Sequence, residues 1–119
     1  MGEPPAQALQ DFADWVAEVV PDGHRAVFVG FNAAFDWMFV ADYFHRFLGR
    51  NPFGYKALDI KALYMGATAA PWDQTGFRHI AAHYGLEQHT LSHDALEDAL
   101  VQAQLFRGVL GELGEGATP

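Results

Sequence analysis

The stretch that most constrains this chain runs from Ala26 to Phe39, AVFVGFNAAFDWMF, where an uncharged apolar run breaks at Gly30 and Asn32 and delivers one carboxylate, Asp36, into a second apolar segment. Val27, Phe28, Val29 and Phe31 are β-branched or aromatic. That composition predicts a strand over Val27 to Phe31, buried on both faces as in a parallel sheet flanked by helices. The residues after it, through Phe47, predict a helix. In open α/β sheets the functional crevice lies beyond the carboxyl ends of the strands, which places Asn32, Phe35 and Asp36 where chemistry is expected. A lone Asp in a first helical turn is also favoured there simply by the helix dipole.

Around this unit the chain predicts an α/β domain with short parallel strands and helices on either side. Leu9, Phe12, Ala13, Val16, Val19 and Val20 recur at helical spacing between Pro5 and Pro21, giving an amphipathic surface helix of about four turns. The helix from Phe35 to Phe47 carries so many apolar groups that it is expected to be largely buried, with Gly49 as its stop and His45 at the surface. Lys56 to Ile60 predicts a second strand ending near Asp59, which caps a helix around Leu63. Ala67 to Gln74 reads as a surface loop that could contact substrate. Phe77, Ile80, Ala81 and Tyr84 then form a short helix closed by Gly85, with His79 and His83 solvated.

The last helix is expected to be capped by Ser92. Its apolar stripe reads as Ala95, Leu96, Ala99, Leu100, Ala103, Phe106, Leu110 and Leu113, and the glycines after Leu113 are expected to end it. On this register Glu97 and Asp94 face outward and Asp98 lies at the border of the stripe, where a half-sunk carboxylate can face a second one on another element. His93 stands at the helix mouth. An imidazole titrates near neutrality, so His93 suits a general base acting on water.

Composition bounds the function classes. With 119 residues, 50% of them hydrophobic, the chain reads as one domain, residues 1–119, structured over about 9–113. There is no Cys, which removes disulfides and thiolate metal sites and agrees with a reducing compartment. The opening MGEPPAQALQDF lacks a basic segment followed by an apolar run, so the expected location is cytoplasmic. Fifteen acidic against seven basic residues give a formal charge of −8, which argues against gripping nucleic acid by bulk electrostatics. It leaves room for a nuclease whose bound cations supply the positive charge.

Taken together, Phe31-Asn32-Ala33-Ala34-Phe35-Asp36, Leu58-Asp59 and His93-Asp94-Ala95-Leu96-Glu97-Asp98-Ala99 stand in the order and spacing of the second and third motifs of the DEDDh 3′-5′ exonucleases. The chain resembles the DnaQ-like superfamily. Arg50-Asn51-Pro52-Phe53 ahead of a strand looks particularly like ribonuclease T. The resemblance spans roughly Leu9 to Phe106 and implies a ribonuclease-H-like fold. It makes Asp36 and Asp98 metal ligands for Mg²⁺ or Mn²⁺, His93 the general base, and Asn32 and Phe35 the residues that shape the site around the terminal nucleotide of a single strand. The implied chemistry, with two cations about 4 Å apart, needs several carboxylates in one place. Two departures stand out: Phe31 where the family commonly has His, and Ile60 where it commonly has Thr.

The family's first motif, Asp-x-Glu on the first strand, has no counterpart in MGEPPAQA, where Glu3 lies in a Pro-rich leader. The expectation is therefore a fold truncated at its N-terminus: the C-terminal part of a ribonuclease T-like exonuclease, with an incomplete two-metal site and poor activity by itself. A partner that donates the absent strands with their Asp-x-Glu would complete it, and the resemblance to ribonuclease T also implies a homodimer as a possible arrangement. The alternatives are a degenerate exonuclease-like domain that binds nucleic acid or a protein partner, and a small α/β binding module whose acids are caps and whose histidines are surface groups.

Overall fold

The computed structural model describes residues 2–86 and 93–117 and divides into two compact units, Met1–Leu58 and Asp59–Pro119. The first unit opens with helix α1, Pro5–Val19. Proline is tolerated at the first helical position because the N–H it lacks would have no partner there anyway, and Val20 leaves the helix in extended backbone ahead of Pro21. Strand β1, Phe28–Gly30, follows, then helix α2, Ala33–Leu48. Gly49 ends α2 in the left-handed conformation at φ 73°, its N–H reaching back to Phe44 and His45, as the sequence anticipates. Strand β2, Ala57–Asp59, pairs with β1 in a two-stranded parallel sheet.

α1 packs on α2, and α2 on β1. Where they meet, Phe44 is fully buried against Phe12 and Phe53, and Phe53 in turn meets Phe28 and Trp37. The ring centroids lie 5.3 Å apart for Phe12 and Phe44, 5.2 Å for Phe28 and Trp37, and 5.6 Å for Phe28 and Phe53. Tilted and edge-on contacts of this kind suit the ring quadrupoles and add about 0.5–1.5 kcal/mol per pair beyond area burial.

Two burial expectations fail in this unit. β1 is not enclosed on both faces, since Phe28 and Val29 are half-buried and Val27, just before the strand, is 60% exposed. α2 is not largely buried either: Ala33 and Phe44 are, whereas Phe35, Met38, Phe39 and Tyr43 are exposed. The reason is size. Strands of three residues and one neighbouring helix cover a single face of α2, and apolar content alone does not say how much surface is available to cover it.

The second unit contains α3, Ile60–Thr68, a 3₁₀ turn at Trp72–Gln74, α4, Phe77–His83, and α5, Ala95–Ala117. Its core is Ile60, Tyr64, Ile80, Ala81, Leu105 and Val109, with α3 lying on α5. The expected stripe of α5 is out of register. Val101, Leu105 and Val109 form the inner face, while Leu96 is 69% exposed and Leu100, Leu110 and Leu113 also face outward. The helix is apolar around more than half its circumference, so periodicity alone allows either face. It also runs past Leu113 through two glycines to Ala117. Ser92 lies outside the described residues. Asp94 is the cap seen, its Oδ1 accepting from the N–H groups of Leu96 at 3.0 Å and Glu97 at 3.1 Å.

Gly108 brings α5 against the turn after α4. A Cβ there would stand 2.7 Å from Cγ of Tyr84 and 2.9 Å from its Cδ1. Gly108→Ala would gain about 1 kcal/mol of helix propensity but must displace a ring that is itself tied down, an overpacking cost of about 1–3 kcal/mol. The balance predicts a net loss of stability of up to about 2 kcal/mol, read as a lowered urea midpoint at unchanged slope. No helix among the described residues is long and apolar enough to cross a membrane.

Candidate functional site

β1 ends at Gly30, and two residues later Asn32 takes the left-handed conformation at φ 56°, ψ 52° as the residue before α2. Asn at a helix start usually bonds a backbone N–H of the first turn. Here it makes no such bond and is exposed, so the carboxamide is left available. The turn also brings Phe35 and Asp36 to the surface in the first turn of α2, Phe35 at 59% exposure with its ring 5.3 Å from Phe39. Asn32, Phe35 and Asp36 thus gather at one helix mouth beyond the carboxyl end of β1.

In the second unit His93 repeats the device. It too is left-handed, at φ 67°, exposed, and immediately before the Asp94 cap of α5. Asn32, Ala69 and His93 are the non-glycine residues with positive φ among the described residues. Holding such residues there costs on the order of 1–3 kcal/mol, strain that proteins concentrate at functional sites. Asp98, one turn into α5, is half-buried while Leu96, Glu97, Ala99 and Leu100 around it are exposed. Its N–H donates to the carbonyl of Asp94 at 2.9 Å. With the corrected register Asp98 stands on the inner face of α5, in line with Val101 and Leu105, rather than at its border. Asp59 is the helix cap the sequence suggests, accepting from the N–H of Ala62 at 3.1 Å.

A cluster that sequence reasoning misses lies where α4 meets α5. His83 is not simply solvated. Its Nε2 donates to Oε1 of Glu112 at 2.6 Å, and the Tyr84 hydroxyl donates to Oε2 of the same carboxylate at 2.9 Å. The His83 bond, aided by Tyr84, holds the Glu112 carboxyl below its ordinary range against the opposing effect of burial. Burial, together with donation to Glu112, pushes the Tyr84 phenol up. The partners are 28 and 29 residues apart, so no local pattern could have signalled them. This is a clamp between helices.

Oxygen donors such as Asp36 and Asp98 suit hard divalent cations. No three His, Asp or Glu side chains gather to hold a metal among the described residues, so the donors fit in kind but fall short in number.

The profile of the RNase T family, described as exonuclease, matches residues 2–106. The chain belongs to this exonuclease family. It is also 48% identical over 106 residues to the 3′-5′ DNA exonuclease Cap18 of Escherichia coli, a match covering 89% of this chain and 56% of that protein. The chain therefore spans about half the length of this curated relative. Family membership agrees with the α/β architecture of parallel strands flanked by helices and with the DnaQ-like motifs.

Proposed function

We propose that this exonuclease-family domain removes nucleotides one at a time from the 3′ end of single-stranded nucleic acid, with DNA favoured because the Escherichia coli relative is named a DNA exonuclease. The observation that carries the reading is the turn at Asn32: a left-handed, uncapped residue that sets an amide, an exposed aromatic ring and a carboxylate at one helix mouth. Phe35 offers a face on which the terminal base stacks, worth about 1–3 kcal/mol per base. Asn32 donates to or accepts from the same nucleotide and fixes its orientation. Asp36 and Asp98 are the ligands of the divalent cations, Mg²⁺ or Mn²⁺. When bound, the cations supply the positive charge that an acidic chain lacks for a phosphodiester and for the charge developing on it.

His93 acts as the base. It takes a proton from the attacking water as the new P–O bond forms. The bond from phosphorus to the 3′ oxygen of the preceding nucleotide breaks, releasing a nucleoside 5′-monophosphate and a strand one residue shorter. His93 precedes α5 with left-handed backbone and is exposed, which leaves it open to solvent. Because two carboxylates hold two cations poorly, the 119-residue chain is a partial domain with weak activity, completed by further acidic ligands. β1 has a second edge that is uncharged and can accept a strand, from a partner or a second copy.

Manganese tests the ligand assignment without any turnover. Amide resonances of the isolated chain near Asn32–Asp36 and His93–Asp98 are expected to broaden first on titration with Mn²⁺, and the first set to be spared in Asp36→Asn. Broadening confined to the acids of α1, Asp11 and Asp14, would reject these ligands.

A further inference from the structure

The amino ends of β1 and β2 carry a feature that the catalytic reading does not use. Because the strands are parallel, the segments leading into them lie at the same edge of the sheet, opposite the end where Asn32 and Asp36 sit. Between these segments and α1 lies a cavity of about 480 Å³, adjoined by a smaller one of about 220 Å³ that shares Arg25, Ala26, Phe53 and Gly54 with it. One wall is apolar, from Ala13, Val16 and Ala17 of α1 and Val20 just beyond it. The other brings in His24, Arg25 and Arg50, with Lys56 in the adjoining hollow.

Charge makes this place unusual. The protein carries −8 overall and has only seven Lys and Arg residues, yet three of them line these hollows and no Asp or Glu does. Neither Arg25 nor Arg50 has an ion-pair partner among the described residues. The polar wall is also held in shape. Oδ1 of Asn51 accepts from the Phe53 N–H at 2.9 Å, and the Gly54 N–H donates to the Asn51 carbonyl at 3.0 Å, with Gly54 left-handed at φ 74°. The His24 N–H closes a turn onto the Pro21 carbonyl at 3.1 Å, and its Nδ1 lies 3.2 Å from the Asp22 carbonyl, which leaves Nε2 for a ligand.

We infer that this cavity binds a nucleoside monophosphate, its phosphate on Arg25, Arg50 and His24 and its base against the α1 wall and Phe53. Guanidinium forks match phosphate oxygens two at a time, a geometry they also offer a carboxylate, and two of them with an imidazole suit the multiple oxygens of a phosphate. The volume lies within the range of about 300–1,000 Å³ typical of small-molecule sites, far above what an inorganic ion fills, and the apolar wall has no use for one. Binding here does not rest on the exonuclease reading. If that reading holds, the ligand is of the same class as the released product, and the site lies at the end of the sheet opposite Asn32 and Asp36.

The test is a titration of the isolated chain with dAMP in metal-free buffer, followed by amide chemical shifts, with deoxyadenosine, inorganic phosphate and a short single strand as comparison ligands. Saturable shifts are expected at residues 24–26 and 51–54, with deoxyadenosine and phosphate each at least tenfold weaker. In Arg25→Ala/Arg50→Ala, with circular dichroism confirming the fold, the affinity for dAMP should fall at least tenfold. Several results would overturn the proposal: no saturable binding, equal affinity for phosphate, shifts confined to Asn32–Asp36, an unaffected double variant, or a strand that binds more tightly in proportion to its length. The last would make this a strand-binding surface. Absence of exonuclease activity in a domain completed by the missing acidic ligands, with dAMP binding intact, would refute the proposed reaction and leave this site standing.

Discussion

In a chimera in which residues 2–106 replace the matching stretch of the Escherichia coli relative, His93→Ala is expected to lower kcat by about 10²–10⁴-fold, the usual cost of removing a general base. Metal dependence and KM should hardly change, because the imidazole is assigned to proton transfer and not to holding cations or strand. Asp98→Asn should behave differently. Removing a ligand raises the Mg²⁺ or Mn²⁺ concentration needed for half-maximal rate, and part of the lost rate returns at high metal. If Asp98→Asn leaves the metal titration unchanged and only lowers the melting temperature, Asp98 is a structural residue of the α5 inner face.

The second large effect is the gap between that chimera and the 119-residue chain alone. The catalytic cations supply several kcal/mol of transition-state stabilisation, and each 1.36 kcal/mol is a factor of ten, so a chain that holds them poorly should run at least about 10³-fold slower. Assays of both proteins on one labelled single strand measure the ratio. Comparable, EDTA-sensitive rates would show that the ligands within these 119 residues are sufficient.

What the sequence makes legible is local. Pro5, Pro21 and Gly49 mark helix ends by chemistry confined to one or two residues, and the observed boundaries of α1 and α2 follow them. The Gly30-Phe31-Asn32 break likewise announces a turn, and Asn is among the few side chains that tolerate positive φ, though nothing in the sequence says that its amide would go unused as a cap. The burial errors share one cause. Leu96, Leu100 and Leu110 and, separately, Val101, Leu105 and Val109 both satisfy helical spacing, and only the packing of α3 on α5 selects the second set. The same choice moves Asp98 from the border to the inner face. The Glu112 clamp depends on a contact 28 and 29 residues long, which periodicity cannot detect. The left-handed His93 is invisible for a different reason, since His there is permitted but not demanded.

The most direct test of the assignment is the digestion of a 5′-labelled single strand by the chimera and by its Asp36→Asn variant, each with Mg²⁺ and with EDTA. The account predicts a ladder that shortens one nucleotide at a time from the 3′ end, abolished by EDTA and reduced at least about 10³-fold in Asp36→Asn at unchanged circular dichroism, consistent with the loss of several kcal/mol of metal-supplied stabilisation. Trimming by Asp36→Asn at the wild-type rate would contradict it.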